Sequence, residues 1–183
     1  MVVGSTGAGT AKMEMGMLSH SEPGPEDLWF LPLGGCGEIG MNLNLFGHNR
    51  QWIMVDCGVH FTRPSEFNAR PIIEMPDTSF VDHLNGALVA LLVTHAHEDH
   101  IGAIATLWHR WGCPLVATPF AAEVIRRRAL GRGSKVPETI VEVHSGNEKH
   151  FGCFKVRWIG MNHSTPETCG LEIETAVAMT PNP

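Results

Sequence analysis

The chain has 183 residues, enough for one domain with a real core, and its 43% apolar content is ordinary for a globular protein. A formal net charge of −6 argues against a protein that coats nucleic acid through bulk positive charge, but leaves room for a local basic face. No apolar run reaches membrane-spanning length, so no membrane partner is expected. The N-terminus lacks the basic-then-apolar order of a signal peptide. The five cysteines (Cys36, Cys57, Cys113, Cys153, Cys169) form no C-x-x-C, and read as small buried apolar groups in a reducing, cytoplasmic setting.

Residues 1–26 are rich in Gly, Ser, Thr, Met and Pro without a sustained period, which predicts a disordered tail ahead of a folded unit over 27–183. A first strand is expected near Leu28 to Leu33. Gly35-Cys-Gly-Glu-Ile-Gly40 fits G-x-G-x-x-G, but a dinucleotide site needs a helix to open right after the glycines. Here Met41 to Phe46 alternates in the strand period, a turn follows over Gly47 to Arg50, and Trp52 to Asp56 reads as a second strand. The glycines therefore serve a tight turn before a hairpin. Residues 61–76 read as an irregular polar loop with Asn68 and Arg70 at the surface, and Asp77 as the cap of a short helical turn over 78–84.

Ala87 to Val93 is an apolar run that predicts a buried strand. It leads directly into Thr94-His-Ala-His-Glu-Asp-His-Ile-Gly102, and Ala103 to Trp111 then reads as a helix whose Ile104, Leu107, Trp108 and Trp111 face inward. Three histidines and an aspartate thus crowd the turn between a strand and a helix. His95 and His97 alternate at the strand end, while Asp99 and His100 open the helix. Imidazole nitrogen and carboxylate oxygen are ligands for zinc and related metals. Two close metals would polarise a bridging water into hydroxide, which suits hydrolysis.

Downstream, Leu115 to Thr118 predicts a strand and residues 120–130 a helix, with Thr118 as N-cap and Pro119 in the first turn. Arg126, Arg127 and Arg128 read as a solvated face, with a phosphate-contacting patch as the alternative. Residues 139–144 and 154–159 read as two strands joined by a polar turn, and 169–174 as another strand. His163 follows the second of these. His48, His60, His109, His144 and His150 have no ligand-type context and read as surface or satisfied histidines.

Taken together, Leu33 to Asn42, Val55 to Gly58 and Thr94 to Gly102 resemble the N-terminal part of the ribonuclease J family, the β-CASP nuclease branch of the metallo-β-lactamase superfamily with its H-x-H-x-D-H motif. Weaker matches are Pro76-Asp77, Ala117 to Pro119 and Asn162 to Ser164, and the resemblance covers roughly residues 28–175. It implies an α/β fold, the αββα sandwich of that superfamily, incomplete at the C-terminus and with apolar faces left exposed. It implies a metal-dependent RNA phosphodiesterase of the cytoplasm, with RNA as substrate and a homo-oligomer in the intact family. Two Zn2+ sites would be expected, with Mn2+ or Mg2+ as alternatives. By that resemblance His95, His97 and His163 hold one metal, Asp99 and His100 help hold the other, Asp99 orients the attacking hydroxide, and Asp56 supports the metal loop from behind. No RNA-binding residue is assigned.

The family's metal-bridging Asp, its last His ligand and its β-CASP domain have no counterpart in the sequence, so the chain by itself is expected to be nearly inert on RNA. A thioesterase- or lactamase-like small-molecule hydrolase and a non-catalytic metal-binding fragment are the competing readings.

Overall fold

The computed structural model describes residues 22–63, 70–84, 86–134, 140–177 and 179–182, the last four by backbone alone. A six-stranded sheet runs in the order β1-β2-β3-β6-β7-β8, and a four-stranded antiparallel sheet in the order β12-β11-β10-β9. In the first sheet β1 (Trp29–Gly34), β2 (Leu43–His48) and β3 (Gln51–Val55) are antiparallel neighbours, whereas β3, β6 (Leu88–Leu92), β7 (Leu115–Ala117) and β8 (Ile140–Glu142) run parallel. The second sheet is built from β9 (Glu148–Phe151), β10 (Phe154–Gly160), β11 (Cys169–Glu174) and β12 (Met179–Asn182).

Side-chain alternation along the central strands divides the core in two. Trp52, Met54, Leu91, Leu115 and Ala117 point to the helix side and pack with Val81, Ile101, Ile104, Leu107, Ala121 and Ile125. Ile53, Val55, Ala90, Leu92 and Val116 point the other way and meet Phe154, Val156, Trp158, Leu171 and Ile173 of the second sheet. Strands buried on both faces need continuous apolar sequence, which the run through residues 87–93 supplies. One helix layer and two sheets are thus in place, as expected of an αββα sandwich.

Several expectations need correction. Pro23 and Gly24 already accept backbone hydrogen bonds from Arg50 (2.7 Å) and Asn49 (3.0 Å), so order begins upstream of residue 27. Residues 1–21 of the expected tail lie outside the described residues. The β2–β3 turn is tighter than expected: His48 pairs with Gln51, and Asn49 and Arg50 carry φ of 45° and 61°, the left-handed pair of a two-residue hairpin. The supposed loop over 61–76 contains a small two-stranded sheet, β4 (His60–Thr62) with β5 (Ile72–Glu74), while Asn68 lies outside the described residues.

The helix expected over 103–111 begins earlier and is broken. It runs as α2 (Glu98–Ile101), α3 (Ile104–Leu107) and a 3₁₀ turn over Trp108–Arg110, following the short α1 (Ser79–Asp82). The break follows Gly102, where the Ala103 N–H donates to the Cys57 carbonyl at 3.0 Å and the Asp99 carbonyl is taken by the Asn42 N–H at 2.9 Å; glycine is needed at 102 because a Cβ would meet the Val59 side chain at 2.6 Å. Strands β8 and β10 do not form one hairpin: β8 joins the first sheet, and β9 supplies the partner of β10. Thr118 precedes α4 (Pro119–Gly131), but its hydroxyl makes no capping hydrogen bond. Nor is the outer face of the second sheet apolar. Lys155 bridges Glu148 (3.4 Å) and Glu174 (3.0 Å), and Arg157 pairs with Glu172.

Candidate metal centre

The centre lies where β3 and β6 end, at the carboxyl edge of the parallel strands, the usual place for ligands in such sheets. The two strand ends are tied there. Asp56 follows β3 at φ 62°, and its backbone N–H donates to the Leu92 carbonyl at 2.9 Å. Its carboxylate is buried and accepts from the Thr94 backbone N–H (2.8 Å), the Thr94 hydroxyl (2.8 Å) and His100 Nδ1 (2.7 Å).

These contacts fix which nitrogens carry hydrogen. The Thr94 hydroxyl has one hydrogen and gives it to Asp56, so the His95 Nδ1 that lies 2.9 Å from Thr94 Oγ1 must be the donor there. His95 Nε2 is left with a free lone pair. His100 Nδ1 donates to Asp56, which likewise frees His100 Nε2. Ser164 Oγ lies 3.2 Å from His97 Nε2, so a hydrogen on that nitrogen leaves Nδ1 free. Each ring is thus oriented by an oxygen behind it, the arrangement that metal-binding histidines ordinarily have.

The freed nitrogens converge. His97 Nδ1 lies 3.1 Å from His95 Nε2 and 3.1 Å from His163 Nε2, and the three ligand atoms fall within 4.8 Å of one another. A zinc ion at about 2.0–2.1 Å from each nitrogen in tetrahedral geometry would separate them by about 3.3 Å, close to the two separations from His97. Burial and the neighbouring His100 ring push the His95 pKa down to about 4, which keeps that imidazole in the neutral, ligating form. Burial would lower His100 as well, but the hydrogen bond and charge of Asp56, with the charge of Asp99, outweigh it and raise its pKa. Cys57 is fully buried beside Asp56, and that environment drives its thiol well above the ordinary range, so it offers no thiolate.

His95, His97 and His163 are therefore brought together. Asp99 and His100 sit beside them as a separate pair, with Asp99 Oδ2 3.5 Å from His100 Nε2 and the His100 ring centroid 4.0 Å from that of His95. The Asn42 amide reaches between the two, 3.3 Å from Asp99 Oδ2 and 3.2 Å from His100 Nε2. A cavity of about 230 Å³ opens over this group, lined among others by Asn42, Asp56, His95, His100 and His163.

Sequence reasoning missed Asn42, the roles of Thr94 and Ser164, and a clamp from α4. Asn42 closes the glycine-rich loop, where its backbone N–H also donates to the Asp99 carbonyl at 2.9 Å. In the clamp, Arg128 pairs with Glu98 and Arg132 donates to the Gly102 carbonyl at 3.1 Å, gripping α2 at both ends. Arg126 and Arg127 pair with Glu142 and Glu123, so the arginine run is spent on carboxylates of this chain. His48 is a satisfied core histidine, with Nδ1 2.7 Å from the Asp27 carbonyl oxygen.

Residues 42–176 match the family model described as the metallo-beta-lactamase superfamily. Ribonuclease J of Sinorhizobium meliloti is 43% identical over 169 residues, which make up 89% of this chain and 29% of that protein. Ribonuclease J of Corynebacterium glutamicum is 36% identical over 80% of this chain and 20% of its own length. The chain therefore spans less than a third of these relatives. The metallo-beta-lactamase fold protein YhfI of Bacillus subtilis superposes with a TM-score of 0.57 at 15% identity, over 85% of this chain and 61% of that one.

Proposed function

Since this chain belongs to the metallo-beta-lactamase superfamily, whose members imply a divalent metal, we propose that it carries the metal-holding part of an enzyme that hydrolyses RNA phosphodiesters. The observation that carries the reading is the convergence of His95 Nε2, His97 Nδ1 and His163 Nε2, with the His95 and His97 rings held from behind by Thr94 and Ser164. The choice of RNA rests on the likeness to proteins named ribonuclease J.

His95, His97 and His163 would hold one ion, with zinc favoured by three imidazoles and manganese or magnesium as competitors. Asp99 and His100 would contribute to a second. A bound ion supplies Lewis-acid charge and lowers the pKa of water at the site. The protein's own part is positional. Asp56 holds His100 and, through Thr94, His95. Asn42 holds the Asp99 carboxylate, and Asp99 would accept a proton from the attacking water and orient it. Two side chains are few for a second ion, so turnover by the 183-residue chain should be slow unless another ligand enters the cavity.

The test is a single-stranded RNA with a 5′ monophosphate, incubated with zinc, manganese or magnesium beside a thioester and a β-lactam. At most a slow, EDTA-sensitive loss of RNA, abolished by Asp99→Ala, is the expected result. Turnover of the thioester or lactam with RNA left intact would overturn the assignment.

A further inference from the structure

A second cavity, of about 430 Å³, adjoins the metal centre. Met161, Asn162, Thr168 and Cys169 line both, so the loop that presents His163 forms their common wall. The larger cavity is completed by Thr118, His144, Ser145, Gly160 and Glu167. Its size falls within the roughly 300–1,000 Å³ of small-molecule sites.

We propose that this cavity is a nucleoside subsite, taking the uncharged sugar and base of the nucleotide next to the phosphate held at the imidazole cluster. The inference rests on the RNA reading above, and the chemistry of the lining supports it in four ways. First, among the described residues the lining contains no Lys or Arg and does contain the Glu167 carboxylate. That carboxylate already accepts the Phe120 backbone N–H at 2.8 Å, in the first turn of the 13-residue α4. The positive end of the helix is therefore complemented, and a phosphate entering here would meet a negative charge.

Second, neutral polar groups face the space. Ser145, Asn162 and Thr168 line it beside Thr118, all uncharged groups able to hydrogen-bond a sugar or base. Third, Gly160 leaves room for Ser145: a Cβ on Gly160 would come within 2.7 Å of the Ser145 hydroxyl. Fourth, the thioether of Met161 gives a polarisable surface for the face of a base.

The position of Glu167 also sets a preference. One of its oxygens is engaged by Phe120, and the other can accept from an exocyclic amino group. Adenine, cytosine and guanine carry such a group; uracil presents a carbonyl in its place. Glu167→Gln keeps an oxygen for the Phe120 N–H but turns the remaining acceptor into a donor, so its preference should move toward uracil.

The experiment measures binding of free adenosine and uridine to the whole chain by protein-observed NMR titration. Free nucleosides carry no phosphate, so the cavity is read apart from hydrolysis. Adenosine should bind about fivefold more tightly than uridine, the worth of one hydrogen bond. Glu167→Gln, on an exposed side chain, should abolish or invert that ratio. Equal binding of the two nucleosides, or a preference that survives Glu167→Gln, overturns the subsite. If adenosine binds as described while a thioester or β-lactam is turned over and RNA is left intact, the subsite stands and the nuclease reading falls. If RNA is cleaved and Glu167→Gln leaves the nucleoside ratio untouched, the subsite falls alone.

Discussion

Replacing Gly58 by alanine puts the packing behind the metal ligands under direct strain. A Cβ at residue 58 would lie 1.7 Å from the Asp99 carbonyl oxygen, 2.0 Å from its carbon and 2.6 Å from the His100 nitrogen. All three are backbone atoms, so no change of rotamer relieves the clash. Gly58 is not among the positive-φ glycines, so space alone is tested. To reach ordinary contact, residues 57–59 and 98–100 must part by roughly 1.7 Å, the shortfall from 3.4 Å. That separation breaks Cys57 N–H to His100 O (2.8 Å), Val59 N–H to Glu98 O (3.1 Å) and Asn42 N–H to Asp99 O (2.9 Å). At about 1 kcal/mol each, the loss is about 3 kcal/mol before any unrelieved strain. For a chain of this size it should lower Tm by roughly 6–12 °C.

The assay is thermal unfolding of metal-free protein in EDTA, followed by zinc titration of the folded fraction. Zinc affinity should also fall, because the displaced backbone carries Asp99 and His100. Gly131→Ala is the control: it ends α4 with nothing within 4 Å of the new methyl, and should be neutral or stabilising by up to about 1 kcal/mol. A Gly58→Ala protein with a Tm within about 2 °C of the parent would refute the reasoning.

The other predictions concern the ligands and their supports. His95→Ala combined with His97→Ala should reduce metal content from close to one ion per chain to none by elemental analysis; equal content in the variant would sink the ligand assignment. Asp56→Asn should set an amide N–H against the Thr94 hydroxyl and His100 Nδ1, both donors, and cost about 2–4 kcal/mol in urea unfolding along with a weaker zinc titration. Arg128→Ala should leave the Glu98 carboxylate without its cation and cost about 1–3 kcal/mol, part of which Glu98→Gln on the same background should restore. If the double variant is no more stable than Arg128→Ala alone, the pair does not hold α2.

What could be read from the sequence was whatever depends on local pattern. The apolar run through residues 87–93 announces a central strand because both its faces are buried, and the alternation after Gly40 excludes a dinucleotide site. The crowding of His95, His97, Asp99 and His100 at one turn was legible for the same reason: these residues are neighbours in the chain. Contacts that close over long separations were not. Asn42 reaches Asp99 across 57 residues, and nothing about a lone asparagine after a glycine loop signals it. The arginine run looked like a solvated face because its partners, Glu98 and Glu142, lie on other elements. The break after Gly102 was hidden too, since it comes from backbone bonds to Cys57 and Asn42, far back in the chain.

The imidazole cluster draws His95 and His97 from the end of the first sheet and His163 from a loop of the second, where the Cys169 N–H also reaches the Thr94 carbonyl at 3.0 Å. An ion bound there acts as a rivet through both layers. The sheets otherwise meet mostly through apolar side chains, which resist separation but have little power to stop sliding, with Cys153 hydrogen-bonded to Gln51 and His48 at the opposite corner. Three directional bonds add a shear-resistant point at one edge, and they must break before the layers part. Metal should therefore act mainly on the rate of opening: loaded protein should outlast stripped protein against protease by a larger factor than any gain in refolding speed.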